Sequence, residues 1–385
     1  MSERVEGTIM KGVGGLYTVR LPLKCDVRYV TCPARGKFRH ENVTPYPGDR
    51  VVLEKDGDAW AVADVLERRT TLHRPAVENV THLVAVIPAA KPKADLETAD
   101  KLICCAESAG IEPIIAVNKA DLDRAEAERI RDVYEKAGFT VFLLSAAVGE
   151  GVDELREHLF ALAGKNADGT DKPDDAGAAE AKTSTEDGET DAAEAKTSAE
   201  TGETAVAEAE TSVEAGETDI AGADGTAADA IADTYEADGG AVSIVFSGAS
   251  GAGKSTLMTG LFPHLDLRTG DVSRKTERGR HTTRAAELFE IADGLFLADT
   301  PGFTMLDFAN FNFFPQAELA YLFREFQPYI GECRYTKCTH LCEEGCRVCE
   351  AVESGEIPRE RHENYRRIYA EMKKTPEWKR RRMEW

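Results

Sequence analysis

The chain has 385 residues and a formal net charge of −22, which is enough length for two or three domains with their own cores. No apolar run approaches the ~18 residues of a membrane-spanning helix, and Met1-Ser2-Glu3-Arg4 opens no secretory leader, so a cytoplasmic protein with no membrane contact is expected. Nine cysteines in such a reducing setting read as free thiols or metal ligands rather than disulfides.

The first stretch, residues 1–70, reads as a small all-β domain. Gly7-Thr8-Ile9-Met10 and Leu16-Tyr17-Thr18-Val19 flank Gly12-Val13-Gly14-Gly15, a hairpin pattern. Further short strands are expected at 27–31, 50–53 and 59–66, with Pro47-Gly48-Asp49 as a turn between them. Five short strands in this length suggest an OB-fold β-barrel, a shape that often binds nucleic acid. Arg35-Gly36-Lys37-Phe38-Arg39 would give it a basic loop carrying an aromatic ring.

From Asn79 the pattern changes to alternating strands and helices, the signature of a parallel α/β sheet. His82 to Ile87 is a buried strand and Leu96 to Ser108 a helix. Pro113-Ile114-Ile115-Ala116-Val117 is the next strand, and it delivers Asn118-Lys119-Ala120-Asp121 to its C-terminal end, where such sheets bind ligands. An aspartate at the fourth position accepts two hydrogen bonds from the N–H and NH₂ edge that guanine has and adenine lacks. Asn118 and Lys119 would brace that loop and cover the base. The strand at 140–144 ends in Ser145-Ala146, placed to touch the base through backbone N–H groups.

Residues 165–240 are Ala, Glu, Asp, Thr and Gly with almost no large apolar side chain, and Gly-Glu-Thr recurs at Gly188, Gly202 and Gly216. This segment holds 22 acidic and 4 basic residues, a net of −18 out of −22, which leaves −4 for everything else. The acidity therefore belongs to the insert and does not argue against an anionic partner elsewhere. Such a composition cannot bury enough apolar surface to fold, and it reads as a solvated, disordered linker.

Beyond it, Val242-Ser243-Ile244-Val245-Phe246 is a buried strand leading into Gly248-Ala249-Ser250-Gly251-Ala252-Gly253-Lys254-Ser255-Thr256 and a helix that opens at Thr256. This is the phosphate-binding loop pattern. Its glycines let backbone N–H groups turn inward, and the helix N-terminus adds partial positive charge. Lys254 would reach the terminal phosphates and the Ser255 hydroxyl would ligate Mg²⁺. A polar, basic stretch from Thr269 to Arg284 follows, in which Thr283 is a further candidate for the Mg²⁺ shell. A strand at 295–299 then ends in Asp299-Thr300-Pro301-Gly302. Asp299 would hold Mg²⁺ through water and the Gly302 N–H would sense the γ-phosphate. Phe303 stands where many GTPases carry a water-orienting glutamine, so another group must do that work, and His281 is the candidate. The base motif precedes the phosphate loop in the chain, the reverse of the usual order. The insert lies where a permuted domain would join its former termini, so residues 71–310 are expected to form one circularly permuted GTPase domain.

The last part, residues 311–385, carries Cys333-x₄-Cys338-x-His340-x₅-Cys346, with Cys342 and Cys349 nearby. Three thiolates and an imidazole at this spacing suggest a helical domain folded around a structural zinc ion, with Cys342 or Cys349 as alternative ligands. From Arg359 to Arg382 ten Lys/Arg residues recur on a helical pattern with Tyr365, Tyr369 and Trp378 between them, a candidate RNA contact.

Taken together, Asn118-Lys119-Ala120-Asp121, the phosphate loop, Gly279-Arg280-His281-Thr282-Thr283, Asp299-Thr300-Pro301-Gly302-Phe303, Arg74-Pro75 with Asn79, and the Cys/His tail resemble the circularly permuted GTPases of the RsgA (YjeQ) family. The resemblance implies an OB-fold domain, a permuted GTPase domain and a zinc domain. It also implies GTP hydrolysis stimulated by the small ribosomal subunit, and contacts to that subunit's rRNA late in its maturation. It matches His281 to the suspected catalytic histidine and selects Cys333, Cys338, His340 and Cys346 as ligands of one zinc ion per chain. A monomer exchanging GTP and GDP is expected. The alternative reading is a non-catalytic RNA-binding module regulated by guanine nucleotide, and Phe303 is the residue that favours it.

Overall fold

The computed structural model describes residues 3–23, 25, 27–40, 43–57, 59–73, 76–165, 241–265, 286–299 and 314–374. Arg74-Pro75, the insert from 166 to 240, the stretch holding His281 and Thr283, Thr300 to Phe303, and the basic tail beyond Lys374 lie outside them.

The N-terminal strands close on themselves. Strand β1 (Glu3–Val13) pairs antiparallel with β2 (Leu16–Arg20) along its second half and with β4 (Arg50–Asp56) along its first half. A register shift between Ile9 and Lys11 bends β1 so that one strand serves both neighbours. β3 (Tyr29–Pro33) extends β2, β5 (Ala59–Val65) extends β4, and a parallel bridge from Ala34 to Val62 closes the circuit. Ile9, Val19, Val51, Leu53 and Val62 fill the interior without exposure. This is the five-stranded barrel that strand number and spacing suggest.

The basic loop differs from expectation. A short helix α1 (Lys37–His40) turns Phe38 into the barrel core, and Arg35 and Lys37 are ion-paired to Glu54 and Asp64. The ring is held there by apolar burial and offers no face on which a base could stack.

A two-stranded hairpin, β6 (Thr71–His73) with β7 (Ala76–Glu78), leads to the second sheet. Its strands are β8 (His82–Pro88), β9 (Glu112–Asn118), β10 (Thr140–Leu143), β11 (Val242–Gly248), β12 (Glu287–Ala292) and β13 (Leu295–Asp299). They lie in the order β10-β9-β8-β11-β13-β12, parallel except for β12. β8 and β11 are buried along their whole lengths, as a parallel sheet covered on both faces requires.

Alternate residues serve opposite faces. Leu83, Ala85 and Ile87 pack with helices α2 (Leu96–Ser108) and α3 (Arg124–Lys136). Val84, Val86, Ile244 and Phe246 pack with α4 (Val152–Leu162) and α5 (Lys254–Leu261). α2 and α3 begin with aspartate caps, where Asp95 accepts from the Thr98 N–H and Asp123 from the Glu126 N–H.

Sheet and barrel are continuous, because β12 pairs with β1 at Glu287 and Lys11. Ion pairs fasten the join: Lys11 with Glu287 at 2.6 Å, Arg20 with Glu290 at 2.9 Å, and Arg28 with Asp293 at 2.9 Å.

The C-terminal unit comprises two 3₁₀ segments (Gln316–Leu322 and Arg324–Tyr329), the Cys/His loop, α6 (Arg347–Ser354) and α7 (Arg359–Lys374). It docks on α2 through a buried charge cluster. The Arg361 guanidinium donates to Glu325 at 2.7 Å and to Asp100 at 2.5 Å, while Tyr134 and Asn364 also donate to Asp100. Arg361 further lies 4.5 Å from the Phe323 ring centroid. Tyr365 is buried too, with its hydroxyl donating to the Thr339 carbonyl at 2.7 Å. Of the α7 residues read as an RNA contact, Arg361 and Tyr365 therefore face inward, and Arg366 and Arg367 face outward. Among the described residues no helix is long and apolar enough to cross a membrane.

Candidate nucleotide site and Cys/His cluster

The sheet topology brings the sequence-predicted motifs to one edge. β11 ends at Gly248 and opens the phosphate loop, which closes into α5 at Lys254. Two strands away, β9 ends at Asn118. The next strand, β10, runs into Ser145.

Asn118 ties the three together. It is 2 % exposed, donates from Nδ2 to the Ala252 carbonyl of the phosphate loop at 2.8 Å, and accepts from the Ala146 N–H at Oδ1, 3.0 Å away. An amide is the side chain for this task because it carries a donor and an acceptor on one planar group. Ser145 is fully buried and adds a parallel tie, its hydroxyl accepting from the Asp121 N–H at 2.9 Å. The Ala120 N–H donates to the Leu144 carbonyl at 3.0 Å. Asp121 itself is exposed at the rim.

Glycine is required where the loop meets Asn118. Gly253 has φ +95°, and a Cβ there would lie 2.3 Å from Asn118 Nδ2. At Gly248 a Cβ would lie 2.3 Å from the Val86 carbonyl. These contacts are too close for any side chain, so the loop backbone lies flush against its neighbours, and the Ala252 N–H donates to the Ala249 carbonyl at 3.1 Å within the loop.

Lys254 Nζ donates to the Gly248 carbonyl at 2.6 Å and the Ala249 carbonyl at 3.1 Å, which carries the ammonium across the mouth of the loop. Burial lowers its pKa from the ordinary lysine value. Lys119, with φ +66°, donates to the Lys91 carbonyl and passes beside Gly253. Lys91 has no signal in the sequence, because its carbonyl is a backbone partner. Ser255 and Thr256 are exposed on the first turn of α5. Asp299 ends β13 one residue past Ala298, which pairs with Val245 of β11. His281, Thr283 and Gly302 lie outside the described residues.

The second centre is in the tail. One donor atom from each of Cys333, Cys338, His340 and Cys346 lies within 4.8 Å of the others. The His340 Nδ1 is 3.6 Å from Cys333 Sγ and 3.7 Å from Cys346 Sγ. Tetrahedral zinc with bonds of ~2.3 Å to sulfur and ~2.05 Å to nitrogen has S···N edges of ~3.55 Å, so the donor set fits such an ion. His340 has φ +57°, an uncommon conformation that turns its ring toward the thiols. Glu343 pins the loop from outside by accepting from the Thr339 N–H at 3.0 Å and the Leu341 N–H at 2.9 Å. Burial would raise its carboxyl pKa, but the hydrogen bonds outweigh this and hold it near about 2. Cys342 and Cys349, read from spacing as rivals for the same ion, group with His362 as a second set of three donors, with Cys349 also in side-chain contact with Cys346 of the first.

A phosphate loop, an Asn-Lys-x-Asp turn and a Ser-Ala turn on neighbouring strand ends define a P-loop GTPase fold, and here the base-side strands come first in the chain. Comparison with known proteins narrows the class. The RsgA GTPase family model matches residues 65–165 and 195–309, and the RsgA N-terminal domain model matches residues 6–62. The small ribosomal subunit biogenesis GTPase RsgA of Ruminiclostridium cellulolyticum is 32 % identical over 376 residues, covering 97 % of this chain and 95 % of that protein. Its counterpart in Moorella thermoacetica is 33 % identical over 369 residues, covering 96 % and 97 %. The crystal structure of YjeQ from Thermotoga maritima superposes with a TM-score of 0.66 at 25 % identity, covering 97 % of this chain and all of that one. YloQ, a circularly permuted GTPase, shares the fold with a TM-score of 0.60 at 23 % identity, covering 97 % of each chain. The chain belongs to the RsgA GTPase family.

Proposed function

We propose that this protein binds GTP at the edge formed by β9, β10 and β11, and hydrolyses it to GDP and phosphate on the small ribosomal subunit during late maturation. It would act as a cytoplasmic monomer. The observation that carries this reading is Asn118, whose one side chain fixes the phosphate loop, the base-reading turn and the Ser-Ala turn in a single frame. The relatives named as small ribosomal subunit biogenesis GTPases supply the partner.

In this reading Asp121 accepts from the guanine edge, and the backbone N–H groups of Ser145 and Ala146 frame the base. The phosphates lie along Gly248, Ala249, Ser250, Gly251, Ala252 and Gly253, with Lys254, Ser255 and Thr256 at the helix start. Ser255, Thr283 and Asp299 would hold Mg²⁺, which supplies charge neutralisation at the β- and γ-phosphates. Lys254 must release its two loop carbonyls to reach the γ-phosphate. Its partial burial favours that exchange, since a desolvated ammonium gains more from an anion than from a carbonyl. The Gly302 N–H would register the γ-phosphate. His281 is proposed to position the attacking water, a task the apolar ring at Phe303 cannot perform. Cys333, Cys338, His340 and Cys346 would hold one structural zinc ion, which contributes the free energy that orders the tail loop.

The test compares phosphate release with and without purified small subunits. Stimulation by the subunit, reduced tenfold or more in His281→Ala with GTP affinity intact, is the expected result; tenfold is about 1.4 kcal/mol of transition-state stabilisation. Release at the intrinsic rate in every arm, with binding retained, would favour the non-catalytic module.

A further inference from the structure

The tail holds three further donors that the nucleotide chemistry and the Cys₃His set do not use. Cys342, Cys349 and His362 bring one donor atom each to within 4.8 Å of one another. They arrive from three different pieces of chain: the loop after His340, the first turn of α6, and the first turn of α7. Cys349 Sγ lies 3.7 Å from His362 Nε2, again close to the ~3.55 Å edge between sulfur and nitrogen on tetrahedral zinc. Cys349 and His362 are buried, while Cys342 is exposed, so the group opens to solvent on one side only. Cys342 also sits at φ +77°, a conformation that a non-glycine residue adopts only under constraint from its surroundings.

We propose that Cys342, Cys349 and His362 form a second metal site, which takes a borderline-soft divalent cation of the zinc class with water in its fourth position. Two thiolates and an imidazole select such an ion over the hard, oxygen-seeking cations. The charges are acceptable: two thiolates neutralise a dication, so the second ion adds no net charge beside the first.

The hydrogen bonds define what binding must displace. His362 Nε2 lies 2.8 Å from the His340 carbonyl oxygen, and the Cys349 thiol lies 3.8 Å from the same oxygen. On binding, the two thiols release their protons to solvent, and the neutral imidazole moves its proton from Nε2 to Nδ1 so that Nε2 can ligate. The freed carbonyl belongs to His340, a donor of the Cys₃His set. The two groups are therefore coupled through the His340 backbone, because filling the second removes a hydrogen bond from a residue of the first.

The experiment uses the full chain, reduced with a non-thiol phosphine, loaded with zinc chloride and desalted before metal analysis. Cys342→Ser and His362→Gln are each expected to hold one zinc equivalent fewer than the unaltered chain, and Cys338→Ser reports the Cys₃His set separately. An unchanged equivalent count in Cys342→Ser, an exposed and readily tolerated position, would overturn the proposal. A second readout avoids dependence on folding. Although exposed, Cys342 should resist alkylation by iodoacetamide in the zinc-loaded chain and react after chelation; equal alkylation rates with and without zinc would overturn it as well.

Discussion

Replacing Asn118 by alanine isolates what holds the nucleotide edge together. The change removes the Nδ2 bond to the Ala252 carbonyl and the Oδ1 bond from the Ala146 N–H. The bond from Ala146 is worth about 1 kcal/mol net, and leaving the Ala252 carbonyl unpaired in a dry site costs about 1–2 kcal/mol. Ala252 is fully buried, whereas Ala146 is only half-buried and regains water, so a total of about 2–3 kcal/mol is expected. If the free protein relaxes and GTP must restore the frame, affinity falls by about 30- to 150-fold. Asn118→Asp should be no better, because it keeps the acceptor for Ala146 but sets a carboxylate oxygen against the Ala252 carbonyl. Displacement of a fluorescent GTP analogue measures the affinity, and thermal unfolding checks the fold. A change of less than about threefold in Asn118→Ala, with an unaltered melting temperature, would refute the argument that this side chain frames the site.

Three further outcomes are expected. Asp121→Asn removes the acceptor for the guanine N–H groups and should shift preference from GTP toward xanthosine triphosphate; undiminished discrimination for GTP in competition binding would assign the reading elsewhere. Arg361→Ala leaves Asp100 and Glu325 as unpaired buried charges and should cost about 3–5 kcal/mol in urea unfolding, whereas a cost below 1 kcal/mol would mean that the cluster rearranges freely. Burial lowers the His82 pKa to about 4 while the unfolded value is ~6.5, so the unfolded chain binds the extra proton and stability falls as pH drops from 6.5 toward 4. Between pH 8 and pH 5 this amounts to about 2 kcal/mol, and His82→Leu should flatten that part of the pH profile; an unchanged slope would place the titration on another group.

The phosphate loop and the base motif were legible because each is a local pattern whose chemistry fixes its residues. Asn118 reads from the sequence as a brace, but the partners it braces, Ala252 and Ala146, are backbone groups and leave no mark on the sequence. Phe38 shows the opposite error. A ring between Lys37 and Arg39 looks like a stacking platform, and only the closure of the barrel reveals that it belongs inside. Arg361 was hidden by its neighbours in the same way, since a basic run on a helix says nothing about which charge turns inward to meet Asp100. His362 lies thirteen residues beyond Cys349, too far for any ligand spacing to suggest it. The joining of β12 to β1 rests on Lys11 and Glu287, residues separated by most of the chain.

The order of strands in the sheet sets a schedule for synthesis. β8 is finished at Pro88, but its central partner β11 is not complete until Gly248. At translation speeds of about 5–20 residues per second, roughly ten to thirty seconds pass in which β8 has β9 on one side and nothing on the other. An apolar strand with an open edge invites pairing with a foreign strand. Nearly half of what emerges during that interval is the insert, with its net charge of −18, so the nascent chain gains most of its negative charge before its sheet is closed.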